Sequence, residues 1–285
     1  MSNIYNIGRI TYQEAVRQPL FYIVLAVSAA LLLISPLFCL FAFGEELSMM
    51  REVGLATITF GGILIAILTA SQVITNEIEN LTAIMLLAKP VRRGEFIIGK
   101  FAGIVFTILV AFLFLGMVFI LTYWWKNGLP ALEANIKAGK YLTGSASVLK
   151  DTYSFFRTDI WLLVKGIYGC FLQVSILTSF AVILATYFSL VISGIGCFAI
   201  LILGNISDYL YHSLSQGSST FGTPLLAGII STLLPHFSLL NTSSLVTTQS
   251  AVSLNYLLLT SFYALIYIAF VLYITILIFS KREIK

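Results

Sequence analysis

The chain has 285 residues, of which 59% are hydrophobic and only 10% charged, and it carries a formal net charge of +4. A soluble globular chain carries about a quarter charged residues, so this composition excludes an ordinary soluble domain. The apolar surface has to be hidden in lipid, and the spans are sought as charge-free runs of about 20 residues.

In chain order, Met1 to Pro19 has no short apolar core ending in a small-residue cleavage site, so the first span is expected to serve as the insertion signal. Leu20 to Phe43, Val53 to Asn76 and Phe101 to Trp125 are each long enough for one helix at about 1.5 Å per residue. Lys126 to Asp159 follows, with Leu132, Ile136, Leu142, Val148 and Leu149 too scattered among charges to span; a partly helical outer cap is expected. Gly166 to Ser207 then runs without a charge for about 63 Å if helical, roughly twice a hydrocarbon core, so it must fold back. Its least apolar part, Thr186 to Ser189 followed by Ser193 and Gly194, puts a tight turn near Tyr187 to Leu190. Pro224 to Leu234 is apolar but halted by Pro235 and flanked by the polar runs His212 to Thr223 and Asn241 to Asn255. It is too short to cross and reads as an outer re-entrant or interfacial hairpin. Tyr256 to Phe279 is the last run, closed by Ser280, Lys281 and Arg282.

The expected fold is all-α and integral to the membrane, a single transmembrane domain with six helices at about 20–43, 53–76, 101–125, 161–186, 190–210 and 256–280. With both termini cytoplasmic, nine of the 16 lysines and arginines fall inside: Arg9, Arg17, Lys89, Arg92, Arg93, Lys100, Lys281, Arg282 and Lys285. Positive charge retained inside fits that orientation, and the inner (cytoplasmic) membrane is the expected location.

Two features suggest chemistry and then fail as signals. Cys39, Cys170 and Cys197 all fall in expected spans without metal-ligand spacing and read as packing residues. Gly94 to Lys100 satisfies the G-x-x-x-x-G-K part of a phosphate-binding loop, but Phe101 stands where a Ser or Thr has to ligate magnesium. The segment also follows a basic loop instead of a strand. No cofactor or metal is expected, no catalytic residue is assigned, and any ATP that drives the protein is expected to bind another chain.

The most informative stretch follows the second span, TNEIENLTAIMLLAKPVRRGEFIIGKFAG from Thr75 to Gly103. Glu77 and Glu79 stand where a helix leaves the membrane, and Leu81, Ile84, Met85 and Ala88 then recur at helical spacing, with Leu86 and Leu87 off that stripe. Pro90 ends the short element and biases Lys89 away from helical geometry, while Gly94 permits a tight turn after Arg92 and Arg93. An ordinary basic loop remains an alternative; the apolar face on more than one side favours an element docked on the membrane, on its own spans or on a partner.

Here the chain resembles a known family. Acidic-x-acidic, Thr82 before LLAKPVRR, and GEFIIGKFAG entering the third span closely resemble the permeases of type-2 ABC exporters. ATYFSLVISGIGCFAILILGNISDYL is similar to their fourth-to-fifth hairpin, ITYQEAVRQPLFY to their membrane-surface elbow helix, and LLPHFSLLN to the stretch before their last span. The resemblance implies an N-terminal interfacial elbow helix and a cytoplasmic coupling loop from Glu77 to Lys100 resting in a groove of a separate ATPase subunit. It also implies a second permease chain, identical or related. Coupling would then fall to Glu77, Glu79, Leu81, Thr82, Leu86, Leu87, Lys89, Pro90, Arg92 and Arg93, and no nucleic-acid partner is expected.

Small residues, Gly61, Gly62, Ala66 and Ala70 in the second span and Ser193, Gly194 and Gly196 in the fifth, permit close helix contacts within the chain or across a dimer. Gln72, Gln173, Asn205, Asp208 and His212 are the few polar residues that could line a path. A secondary carrier or channel not driven by ATP is the leading rival, disfavoured because no midplane carboxylate, lysine or internal repeat is evident. A membrane enzyme is disfavoured by the isolation of His212 and His236, the two histidines.

Overall fold

The computed structural model describes residues 2–38, 46–79, 93–137, 141–216, 235, 237–240 and 253–281. These residues are all-α, with seven long helices and one helical turn: α1 (Ser2–Arg17), α2 (Pro19–Phe38), α3 (Glu46–Glu79), α4 (Arg93–Lys137), α5 (Tyr141–Tyr187), α6 (Leu190–Gln216), the turn α7 (Phe237–Leu240) and α8 (Leu254–Lys281). Five of them hold stretches long and apolar enough to cross a membrane: Pro19–Phe38, Glu46–Ile74, Gly94–Lys126, Asp159–Tyr187 and Leu254–Phe279. This is a multi-pass membrane protein by the hydropathy of those helices. The fifth expected span, 190–210, lies in α6, whose described apolar stretch, Leu190–Ile206, is shorter than the other five.

Burial shows why the outer faces are apolar. On α2 the inward residues are Phe21, Ser28, Leu32 and Ser35, one narrow stripe, whereas Leu33 and Leu37 face outward at 61% and 59% exposure. Outward leucines at that density are tolerated when lipid, not water, surrounds the helix. The centre of the bundle is α3 against α5, with α4 packed on both and on α1, α2 and α8. Ile58, Ile65, Leu115, Phe119, Leu163 and Ile176 fill that core.

Most threonine hydroxyls inside the spans are satisfied by their own helices, while the Ser71 and Ser193 hydroxyls are buried without a hydrogen-bond partner among the described residues. Thr59, Thr69, Thr107, Thr178 and Thr275 each donate to the carbonyl four residues back at 2.6–3.0 Å, which removes the cost of an unpaired polar group in hydrocarbon. A related repair occurs in α2, where Pro36 has no N–H to give to Leu32. The Ser35 hydroxyl donates to that carbonyl at 2.8 Å, and the Lys126 ammonium donates to the carbonyl of Pro36 itself at 3.4 Å.

Helix boundaries differ from the hydropathy boundaries, because charge limits an apolar run but not a helix. α3 starts at Glu46, ahead of the expected Val53, and continues to Glu79. The Lys126 to Asp159 segment is helical at all its described positions, so α4 and α5 are 45 and 47 residues long and carry the expected cap as extensions of the spans. Between α5 and α6 the chain reverses at Phe188 and Ser189. Of the expected re-entrant hairpin, Pro224 to Leu234 lies outside the described residues; Pro235, Phe237 and Leu240 are buried, and Phe237 lies against α6 at Gly204. Of the cysteines, Cys39 is outside the described residues, and Cys170 and Cys197 are free and buried.

Candidate functional site

The expected coupling residues fall around the break between α3 and α4. Glu77 and Glu79 lie in the last turn of α3 and Arg93 is the first residue of α4, while Leu81, Thr82, Leu86, Leu87, Lys89, Pro90 and Arg92 lie outside the described residues. What is described is the frame around them. Gly94 to Phe101, the stretch that imitates a phosphate-binding loop, is the start of an α-helix, so its backbone N–H groups are aligned along the helix and do not line a cradle.

The glycines there serve packing. A Cβ on Gly103 would stand 2.6 Å from the backbone oxygen of Gly8 and 2.6 Å from the Thr11 Cβ, and one on Gly99 would stand 2.8 Å from Ile7. The helices α1 and α4 therefore cross backbone to backbone, in the manner of small-residue contacts between membrane helices. Beside the crossing, Lys100 is almost fully buried, its ammonium 3.8 Å from the Glu14 carboxylate of α1 and 5.8 Å from the Phe96 ring centre. The same end is closed by Phe96 stacked on Phe279 of α8 at 6.2 Å and by the Tyr187 hydroxyl donating to the Ile278 carbonyl at 3.2 Å.

At the opposite end the structure assembles a polar cluster that sequence reasoning missed. Arg51 of α3 is fully buried. Its Nη2 donates to the Tyr123 hydroxyl of α4 at 3.0 Å and to Asp159 Oδ2 of α5 at 3.3 Å. Tyr123 donates in turn to Asp159 Oδ2 at 2.9 Å, and the guanidinium lies 5.8 Å from the Tyr123 ring centre. Three helices are thereby joined by a closed triangle in which the charges are paired and hydrogen-bonded. Lys126 pairs with Glu46 at 3.2 Å in the same rim. The available sequence signal was opposite charges at the matching ends of two apolar runs, Arg51 before one and Asp159 before the other.

Asn205 and the glycines of the spans have local explanations. Asn205 donates to its own helix at Leu201, Gln173 is buried, and Asp208 and His212 lie on α6, which the structure describes there as helix only. Gly61 faces Ser28 and Leu115, Gly62 faces Phe112 and Val174, Gly194 faces Ile67 and Gly196 faces Leu184. These small positions are used for contacts inside one chain.

The class this fold defines is a helical multi-pass membrane protein with two differently fastened ends. No protein-family model matches the chain, and no curated protein matches it.

Proposed function

We propose that the chain is the membrane-spanning subunit of an ATP-binding-cassette transporter, an exporter, coupled through residues 77–100 to a separate cytoplasmic ATPase. The observation that carries the reading is the sequence block from Glu77 to Gly103, with its resemblance to type-2 exporter permeases. The mechanics of its frame support it. The segment 80–92 connects α3, which ends at Glu79, to α4, which begins at Arg93, each a continuous helix running from the break to the Arg51–Tyr123–Asp159 triangle. A push on the segment by a closing ATPase dimer is delivered to two stiff rods of about 40 Å or more, and the bundle switches between two packings.

In this reading α6 is the fifth of six spans, both termini are cytoplasmic in the inner membrane, and α1 is the interfacial elbow. A second permease chain completes the pathway. A carrier not driven by ATP draws support from the buried Arg51–Asp159 pair. That pair sits in the rim beside Lys126 and Glu46, away from the mid-depth expected of an ion-coupling site.

Replacing Leu86 and Leu87 with Asp puts charge into an apolar contact, where an unpaired buried charge is costly. In reconstituted complexes this pair is expected to reduce the copurifying ATPase at normal expression of the chain. Glu77→Gln with Glu79→Gln is expected to keep copurification while uncoupling ATP turnover from transport. Wild-type assembly and transport in the Asp pair would reduce the segment to a basic connector, and transport by the chain alone, without any ATPase, would favour the carrier.

A further inference from the structure

The close crossing of α1 and α4 leaves a groove beside it, about 550 Å³ in volume and lined by Tyr5, Gly8, Arg9 and Tyr12 of α1 with Ala102 and Phe106 of α4. The gap follows from the glycines: backbones that touch at Gly8 and Gly103 force the larger side chains on either side to diverge. Its wall is chiefly apolar. Tyr12 is fixed edge-on against Phe106 at 4.9 Å, and both Phe106 and Leu113, further along the same outward face of α4, are exposed. The polar groups of the lining come from Arg9 and from the phenols of Tyr5 and Tyr12. Arg9 is exposed and makes no ion pair among the described residues, whereas Glu14, the acid of α1, is 3.8 Å from Lys100.

The depth of the groove is set by the chain. Only Gln18 separates α1 from α2, whose apolar stretch begins at Pro19, and the facing segment of α4 lies in the first turns of its own span. The groove therefore opens where headgroups meet acyl chains. A guanidinium at that level prefers a phosphate or carboxylate, two phenols add hydrogen-bond donors, and tyrosine is favoured there for its apolar ring and polar tip.

We propose that this groove is a binding site for one anionic phospholipid. Its phosphate is held by Arg9 and the tyrosine hydroxyls, and one acyl chain lies over Ala102 and Phe106 and continues along Leu113. The complementarity selects headgroup charge and the apolar wall selects a lipid over a free phosphate. The site requires only the membrane class of the protein, so it stands or falls separately from the transporter reading.

The test uses the purified full chain in a neutral detergent, titrated with micelles containing dioleoyl phosphatidylglycerol or dioleoyl phosphatidylcholine. Thermal unfolding and native mass spectrometry provide the readouts. Phosphatidylglycerol is expected to raise the unfolding temperature by more than phosphatidylcholine and to be retained as one bound molecule. Arg9→Gln is expected to abolish that difference and the retention, Arg9→Lys to preserve most of both, and Ala102→Trp to block retention by filling the groove. Should the tryptophan variant fail to fold, the Arg9 pair still decides. Equal effects of the two lipids on the wild type, an unchanged preference in Arg9→Gln, an equal response to glycerol 3-phosphate, or a second copy of the chain in place of lipid would each overturn the proposal.

Discussion

The two ends of the helical bundle are fastened by different physics. Where α1 meets α4, the contact is steric: glycine backbones touch, and the accompanying ion pair, Glu14 with Lys100, is 3.8 Å long with the carboxylate side chain 35% exposed. At the other end Arg51, Tyr123 and Asp159 form a buried triangle across α3, α4 and α5. A steric contact holds no directional or charged bond that a small shear of packed helices must break. A desolvated charge pair does not, because separating it leaves each charge uncompensated. The contrast fits a molecule whose helices are pinned at one end and adjustable at the end that carries the 80–92 segment.

The largest expected effect comes from breaking the pinned end. Asp159→Ala leaves Arg51 charged, buried and without its carboxylate, a loss of about 3–5 kcal/mol. Arg51→Met combined with Asp159→Leu is expected to recover most of that loss, since an apolar replacement of both partners removes the uncompensated charge. Reversible denaturation in mixed detergent micelles would measure both. A single substitution as mild as the double would mean that the triangle is not a fastener.

Next comes Gly103→Val, whose added carbons meet Gly8 and Thr11. Overpacking of this kind costs about 1–3 kcal/mol and should act locally, lifting α1 from α4. Faster proteolysis within residues 2–17, with the remaining helices unchanged, is the expected signature. Uniform destabilisation of the bundle would show instead that α1 is as integral as the spans.

The smallest effect is expected for Glu14→Gln. Lys100 is buried, but Glu14 is 35% exposed and the pair is long at 3.8 Å, and the glutamine amide oxygen still accepts from the ammonium, so this variant is expected to lose less than Asp159→Ala in the same denaturation measurement. A loss comparable with Asp159→Ala would erase the distinction between the two ends.

Hydropathy made much of the helical frame legible. The run from Gly166 to Ser207 exceeds one crossing, and the structure turns it at Phe188 and Ser189, where aromatic and hydroxyl residues interrupt the aliphatic sequence. Helix ends were less legible, since α3, α4 and α5 continue through charged flanks. The rim triangle was hidden for a different reason. Arg51 and Asp159 stand 108 residues apart, and each alone resembles an ordinary charge at the edge of a span; their pairing depends on which helices are neighbours. Gly99 and Gly103 were read within a nucleotide-like motif and the entry to a span, whereas their use depends on a third glycine, Gly8, far earlier in the chain. Of the coupling residues, only Glu77, Glu79 and Arg93 fall on described helices.

The triangle also bears on how the protein is made. Tyr123 follows Arg51 by 72 residues and Asp159 follows it by 108. At a synthesis rate of about 5–20 residues per second, the guanidinium is ahead of its carboxylate by roughly 5–20 seconds. During that interval α3 can be held in the bilayer only with Arg51 reaching to the aqueous boundary along its own flexible stem. Insertion of α5 then brings Asp159 alongside and draws the guanidinium inward, so the ion pair closes only on the arrival of a later helix and before α6 and α8 are made.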